Sequence, residues 1–267
     1  MIDTFQTPGR VNVIGSRISD CDCDAALRLL GQAALLGHGG YVCFTNVHTV
    51  VLGHDDPIVR SITNGSLLSL ADGKPVFWVG RAKGARAIGH VPGPDFFIEA
   101  LRRYPQDGHF FYGSSPEVLS RLTSALHQMI PDVKICGSIS PPFRPLTDDE
   151  RQLHYRIIRN SGAAFVWIGL GAPKQERWMA DAWQYIRPCI ALGVGAAFDF
   201  YAGTVQRAPR RIGRMGLEWL YRLLQEPRRL WKRYLVTNSL FIYYLISEHL
   251  RKFPRQADPR RPGSSGS

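Results

Sequence analysis

Between residues 10 and 200, short apolar runs that stop at Gly, Asn or Asp alternate with segments of helical spacing. This rhythm constrains the fold more than any other feature. Residues 10–14 alternate as a short strand, and 20–36 have helical periodicity with acidic residues in the first turn. Residues 41–45 form an apolar strand that runs into Asn46. Residues 47–56 suit a helix or a continuing strand, and the helical spacing of Val47, Val50 and Val51 favours the helix. Apolar runs at 67–70 and 76–79 read as two strands flanking the turn Ala71-Asp72-Gly73. The strand 109–112 ends at Gly113-Ser114-Ser115-Pro116, with a helix after it.

The second half repeats the pattern: strand 133–136, helix 148–161, then a strand of buried character at 164–169. Gly171-Ala172-Pro173 opens a helix through Trp183, and strand 189–193 leads into Gly193-Val194-Gly195. No internal sequence repeat is visible. Strands alternating with helices imply an α/β, Rossmann-like fold, a parallel sheet with helices on both faces. Ligands in such sheets sit beyond the carboxyl ends of the strands. The chain places Asn46, Asp72, Gly113, Gly171 and Gly195 there.

Charge divides the chain. Residues 207–267 carry fourteen Lys or Arg against four Asp or Glu, a net +10, whereas the first 206 carry nineteen against eighteen, a net +1. The excess therefore meets its partner near the C-terminus. Residues 207–253 interleave Trp219, Leu223, Trp231 and Leu235 with Arg222, Arg228, Arg229 and Lys232, a basic amphipathic helical appendage on a 1–206 core. The longest uncharged run there, 234–247, has 14 residues. A spanning helix needs about 20, so the segment should lie on an anionic bilayer rather than cross it. An ordinary amphipathic helix packed on the core is the alternative. Residues 254–267, rich in Pro, Arg, Gly and Ser, read as a disordered tail.

No secretory signal is expected at the N-terminus. The five scattered cysteines contain no C-x-x-C pair, so neither a zinc site nor a disulfide framework is suggested, and a reducing cytoplasm fits.

Several strand-end residues can carry chemistry. Asp72 can serve as a general base in the cleft, or simply close an Asx-turn. The stretch 169–176, Gly-Leu-Gly-Ala-Pro-Lys-Gln-Glu, follows a strand and starts a helix. Its N–H groups and dipole make an anion site or a bare helix cap. No G-K-[ST] follows, so ATP hydrolysis is not expected, and no G-x-G-x-x-G follows the first strand. The glycines at 193 and 195 permit close backbone approach, and Asp199 either accepts from a sugar or ribose hydroxyl or caps a turn. Asp20-Cys21-Asp22-Cys23-Asp24 contains two overlapping D-x-D patterns, but they open a helix, where acidic residues suit the dipole. They are not read as a metal site. The eight histidines lack ligand spacing. His48 and His54 read as structural or surface residues, while His90, in a loop entering a helix, can reach the cleft.

In order, Thr45-Asn46-Val47-His48, Ala71-Asp72-Gly73, Gly93-Pro94-Asp95, Phe111-Tyr112-Gly113, Ser140-Pro141-Pro142-Phe143, 169–179, 193–203, Arg207-Ala208-Pro209, Gly216-Leu217-Glu218-Trp219 and 225–230 resemble the WecG/TagA/CpsF family of bacterial glycosyltransferases. The resemblance covers roughly residues 10–250. It implies a metal-independent, inverting transfer without cofactor, from a UDP-sugar to a polyprenyl-diphosphate-linked sugar in cell-surface polysaccharide or wall-polymer synthesis. Asp72 is then the base. Thr45, Asn46, His90, Gly113, Gly171, Lys174, Gln175, Gly195 and Asp199 are implied to line the substrate pocket. Arg222 and Arg229 of the appendage are implied to contact diphosphate at the inner face of the cytoplasmic membrane. An oligomer is compatible with this. Two positions depart from the family pattern: Phe44 stands where Thr is common, and His90 where Arg is common. A catalytically impaired UDP-sugar-binding protein is the alternative they leave. A nucleic-acid-binding protein fits the basic segment but leaves Asp72, Gln175 and Asp199 unexplained.

Overall fold

A computed structural model describes residues 6–209, 213 and 218–252. The strand expected at 10–14 forms as β1 (Arg10–Val13), but it pairs antiparallel with β2 (Ser16–Ser19) in a hairpin outside the parallel sheet. The second arm of that hairpin uses up 16–19, so the first helix, α1 (Cys23–Leu35), starts later than Asp20, with Asp22 accepting from Ala25 N–H as its cap.

Six strands build one parallel sheet: β3 (Gly40–Thr45), β4 (Leu68–Ala71), β5 (His109–Gly113), β6 (Ile135–Ile139), β7 (Phe165–Gly169) and β8 (Ile190–Gly193), in the order β4-β3-β8-β7-β5-β6. Eight helices connect them or follow them: α2 (Val47–Asp55), α3 (Pro57–Gly65), α4 (Lys74–Ala82), α5 (Gly93–Arg103), α6 (Pro116–Met129), α7 (Asp148–Asn160), α8 (Lys174–Ala182) and α9 (Ala197–Tyr201). The chain thus has the Rossmann-like α/β fold its rhythm implies. The ambiguous segment after Asn46 is helical, secured by a capping box between Asn46 and Thr49.

The second apolar run beside Asp72 is a correction. Residues 76–79 lie inside α4, not in a strand. Pro75 cannot donate to a sheet ladder but suits a first helical turn. Buried Val76 and Gly80 then share one helix face, four residues apart. The strand expected at 133–136 is displaced to Ile135–Ile139. Gly171-Ala172-Pro173 opens α8 as its spacing implies, with Pro173 as the N-cap.

Alternate residues of each strand supply two cores. Val42, Phe44, Phe111, Trp167 and Leu192 pack against α1, α5, α6 and α9. On the other face, Tyr41, Cys43, Tyr112, Ile168 and Ala191 pack against α3, α7 and α8. After β3 the chain therefore turns to one face, and after the neighbouring β8 it turns to the other. Such a divergence opens a crevice at the carboxyl edge.

Past residue 209 the helices α10 (Glu218–Gln225) and α11 (Pro227–Lys252) follow. One stripe of α11 docks on the core: Phe241 is 4% exposed among Val50, Val51 and Val76. Tyr244 donates to Asp55 Oδ1 at 2.7 Å and its ring lies tilted against His54 at 3.8 Å, and Lys83 pairs with Glu248 at 2.6 Å. Among the described residues no helix is long and apolar enough to cross a membrane. The tail expected at 254–267 lies outside the described residues.

Candidate active site

Asp72 follows β4 and Asn46 follows β3, and the register that pairs Thr45 with Ala71 brings the two residues together. Asn46 donates from Nδ2 to Asp72 Oδ2 at 3.1 Å while its Oδ1 accepts from Thr49 N–H at 3.2 Å. The cap of α2 therefore also orients the carboxylate. Gly93 N–H, the first of α5, donates to Asp72 Oδ1 at 2.9 Å. Both carboxylate oxygens are thus held, one at the start of each of two helices, where partial positive charge favours an anion. A carboxylate offers about four lone-pair sites, so two fixed bonds orient it without exhausting its capacity to accept.

The backbone around Asp72 is equally constrained. Its N–H donates to Thr45 O at 3.1 Å, and its carbonyl lies 2.9 Å from His90 Nε2. A carbonyl only accepts, so Nε2 carries the proton and His90 supports the Asp72 turn. Thr45 itself is buried, its hydroxyl 2.8 Å from that of Ser69. Phe44 points to the opposite face, edge-on to Phe96 at 5.3 Å, and is buried in the core there. Its ring also lies against Gly93, at the start of α5.

Two strands along, the other motifs assemble. Gly193 pairs with Cys43 of β3 and with Ile168 of β7, which sets its loop between the Asn46 end and the Gly171 turn. Gln175 donates from Nε2 to Gly193 O at 2.8 Å and to Glu176 Oε1 at 3.1 Å. Gly195 and Gly171 both have positive φ, +54° and +75°, which only glycine adopts without strain. Gly113 also has positive φ, and a Cβ there would stand 2.7 Å from the Gly169 backbone. Lys174 is exposed at the first position of α8. Asp199 lies in the first turn of α9, with Thr204 Oγ1 3.4 Å from its Oδ1. The side chains of Arg222 and Arg229 lie outside the described residues.

The D-x-D run is engaged elsewhere. Asp20 accepts from Ala87 N–H at 2.8 Å, Asp22 caps α1, and Asp24 pairs with Arg28 and Arg103.

Glu176 is the residue that sequence reasoning passed over. It is 1% exposed, and burial pushes its carboxyl above the usual range, towards the neutral acid. Its only signal in the sequence was its place inside the 169–176 motif, where it resembles any acidic residue in a helix's first turn.

An open parallel sheet with a carboxylate and an amide clamped at the crevice, and glycine turns beside a helix start, is an arrangement suited to a group-transfer enzyme. The chain belongs to the glycosyl transferase WecG/TagA/CpsF family, whose model matches residues 11–255. It is an enzyme that transfers a sugar from a donor to an acceptor.

Proposed function

We propose that this glycosyltransferase moves a sugar from a UDP-sugar to a polyprenyl-diphosphate-linked sugar, with inversion and without a metal, at the inner face of a bacterial cytoplasmic membrane. The product belongs to cell-surface polysaccharide or wall-polymer synthesis. The observation that carries the reading is the Asp72 carboxylate, oriented by Asn46 and Gly93 at the crevice.

Asp72 takes the proton of the acceptor hydroxyl as that oxygen bonds to the anomeric carbon. The bond from that carbon to the diphosphate oxygen breaks on the opposite face, and UDP leaves with the electron pair. Attack opposite the leaving group inverts the centre. The charge developing on UDP needs donors or cations placed in advance. The start of α8 beyond Gly171 supplies backbone N–H groups, and Arg222 and Arg229 are the cations assigned to the diphosphate. The D-x-D carboxylates are taken up by structural partners.

The membrane part of the reading rests on α11. Trp231, Leu235, Ile242 and Ile246 are exposed, at helix spacings of four and seven that keep them on one side. That side is opposite the stripe of Leu230, Thr237 and Phe241 that faces the core. Exposed Arg228 and Lys232 flank it. Apolar burial and anionic headgroups would both favour this surface.

The test is a panel of UDP-sugars offered to a lipid-diphosphate-sugar acceptor on anionic vesicles, with the anomeric configuration of the product read by NMR. Transfer with inversion supports the reading. Transfer from another nucleotide-sugar only, or with retention, contradicts it.

A further inference from the structure

Two buried polar atoms beside the Gly193-Val194-Gly195 turn have no hydrogen-bond partner among the described residues, Gln175 Oε1 and Glu176 Oε2. Their side chains are 5% and 1% exposed, and an unpaired polar atom at that depth costs stability unless something binds it. The orientation of the Gln175 amide is not arbitrary. Gly193 O can only accept, so the amide nitrogen must face it, at 2.8 Å. The second N–H goes to Glu176 Oε1 at 3.1 Å. Both donors are spent, and only the carbonyl Oε1 remains, 3.5 Å from where a Cβ would stand at Gly195. Burial pushes the Glu176 carboxyl up, and its Oε1 accepts from the Gln175 amide.

Position and chemistry limit what Oε1 can meet. Gln175 is tied to the end of β8, two strands from β4 and Asp72. Neighbouring strands lie about 4.8 Å apart, so roughly 10 Å separates the two strand ends. With the acceptor hydroxyl and anomeric carbon at Asp72, the ring of the transferred sugar spans that interval. A diphosphate oxygen only accepts, and a carbonyl offers it nothing. A sugar hydroxyl donates.

Resting on the reading above, we propose that Gln175 recognises a hydroxyl of the transferred sugar through its side-chain carbonyl, and that Glu176 is the positioning residue that holds the amide in that orientation. Gln175 thereby helps set donor choice, while the diphosphate is held elsewhere.

The experiment compares full-length wild type, Glu176→Gln and Glu176→Leu by calorimetry with UDP, UDP-glucose and UDP-N-acetylglucosamine. Monodeoxy forms of whichever UDP-sugar binds are then titrated. Glutamine at 176 still offers a carbonyl to Gln175, so UDP-sugar affinity should stay within about twofold of wild type. Leucine does not, and should weaken UDP-sugar binding about tenfold, the scale of one hydrogen bond, with UDP affinity unchanged. One monodeoxy donor should bind wild type about tenfold less tightly yet show no such penalty in Glu176→Leu. If Glu176→Leu does not fold, Gln175→Met removes the acceptor directly and should give the same selective loss. Equal losses for UDP and UDP-sugar, or a Glu176→Gln as poor as Glu176→Leu, would overturn the proposal. Wild type that binds no UDP-sugar at all would instead overturn the donor assignment, and this inference with it.

Discussion

The sheet and helix α11 treat apolar side chains in opposite ways. The inner strands of the sheet bury both faces, and Trp167, Phe111 and Leu192 have no exposed surface. In α11 neighbouring residues diverge, with Phe241 4% exposed and Ile242 57%. The contrast separates two jobs. A core closed on both sides fixes the strand ends, and therefore Asp72 and Gln175. A helix closed on one side leaves its other face exposed, the face proposed above to meet the membrane.

The harshest test of this contrast removes the helices. A chain ending after Arg207 should lose binding to anionic liposomes, because each basic residue near such a surface contributes about 1 kcal/mol and several act together. Transfer to a lipid-linked acceptor should vanish with it. The sheet should still give its circular dichroism signature at reduced stability, since the Phe241 seat on Val50 and Val51 is opened. Full transfer by the shortened chain would make the segment dispensable, and loss of the sheet signal would make it part of the core.

Adjacent substitutions sharpen the same point. Phe241→Ala should cost about 3–5 kcal/mol in chemical denaturation, as expected for a fully buried Phe. Ile242→Ala should cost less than about 0.5 kcal/mol yet weaken liposome binding. Equal stability losses from both would contradict the two-faced helix.

A third test addresses how the core treats a polar group. His109 accepts from Trp167 Nε1–H at 3.1 Å through Nδ1 and lies 2.9 Å from Tyr104 O through Nε2, which defines the neutral imidazole. Burial, opposed by the Tyr104 carbonyl, lowers its pKa to about 4. The folded form therefore binds protons less readily than the unfolded one. Its contribution is complete above about pH 6.5 and is lost as the pH falls towards 4, roughly 3 kcal/mol in all. Denaturation at pH 7 and at pH 4.5 should show a larger loss in wild type than in His109→Phe, and identical losses would show that His109 is not held neutral.

The smallest expected effect is none. If backbone N–H groups of the core and arginines of the segment neutralise the leaving UDP between them, excess EDTA should leave transfer unchanged. Activity abolished by EDTA and restored by magnesium or manganese would require a metal site.

Much of this is legible in the sequence. The strand–helix rhythm placed Asn46, Asp72, Gly113, Gly171 and Gly195 at strand ends because apolar runs and helix caps are local signals. Three failures share one cause, the dependence of local patterns on distant partners. Residues 10–14 alternate as a strand in any sheet, and only their pairing with 16–19 takes them out of the parallel one. Val76 and Val79 look like a strand until Pro75 is weighed as a helix starter. Glu176 reads as a surface acid, because nothing local tells that the fold buries it against Gln175. Phe44 belongs with these: its ring packs on that of Phe96, fifty-two residues away.

The central claim is that the carboxylate held by Asn46 and Gly93 takes the acceptor's proton. Its most direct test is single-turnover transfer by Asp72→Asn, with UDP affinity measured on the same protein. Asparagine is isosteric and keeps an oxygen for Gly93 N–H, so the fold and UDP binding should persist while the rate falls by about 10² or more. A near-normal rate in a folded, UDP-binding variant would contradict the claim and send the search for the base to another residue of the crevice.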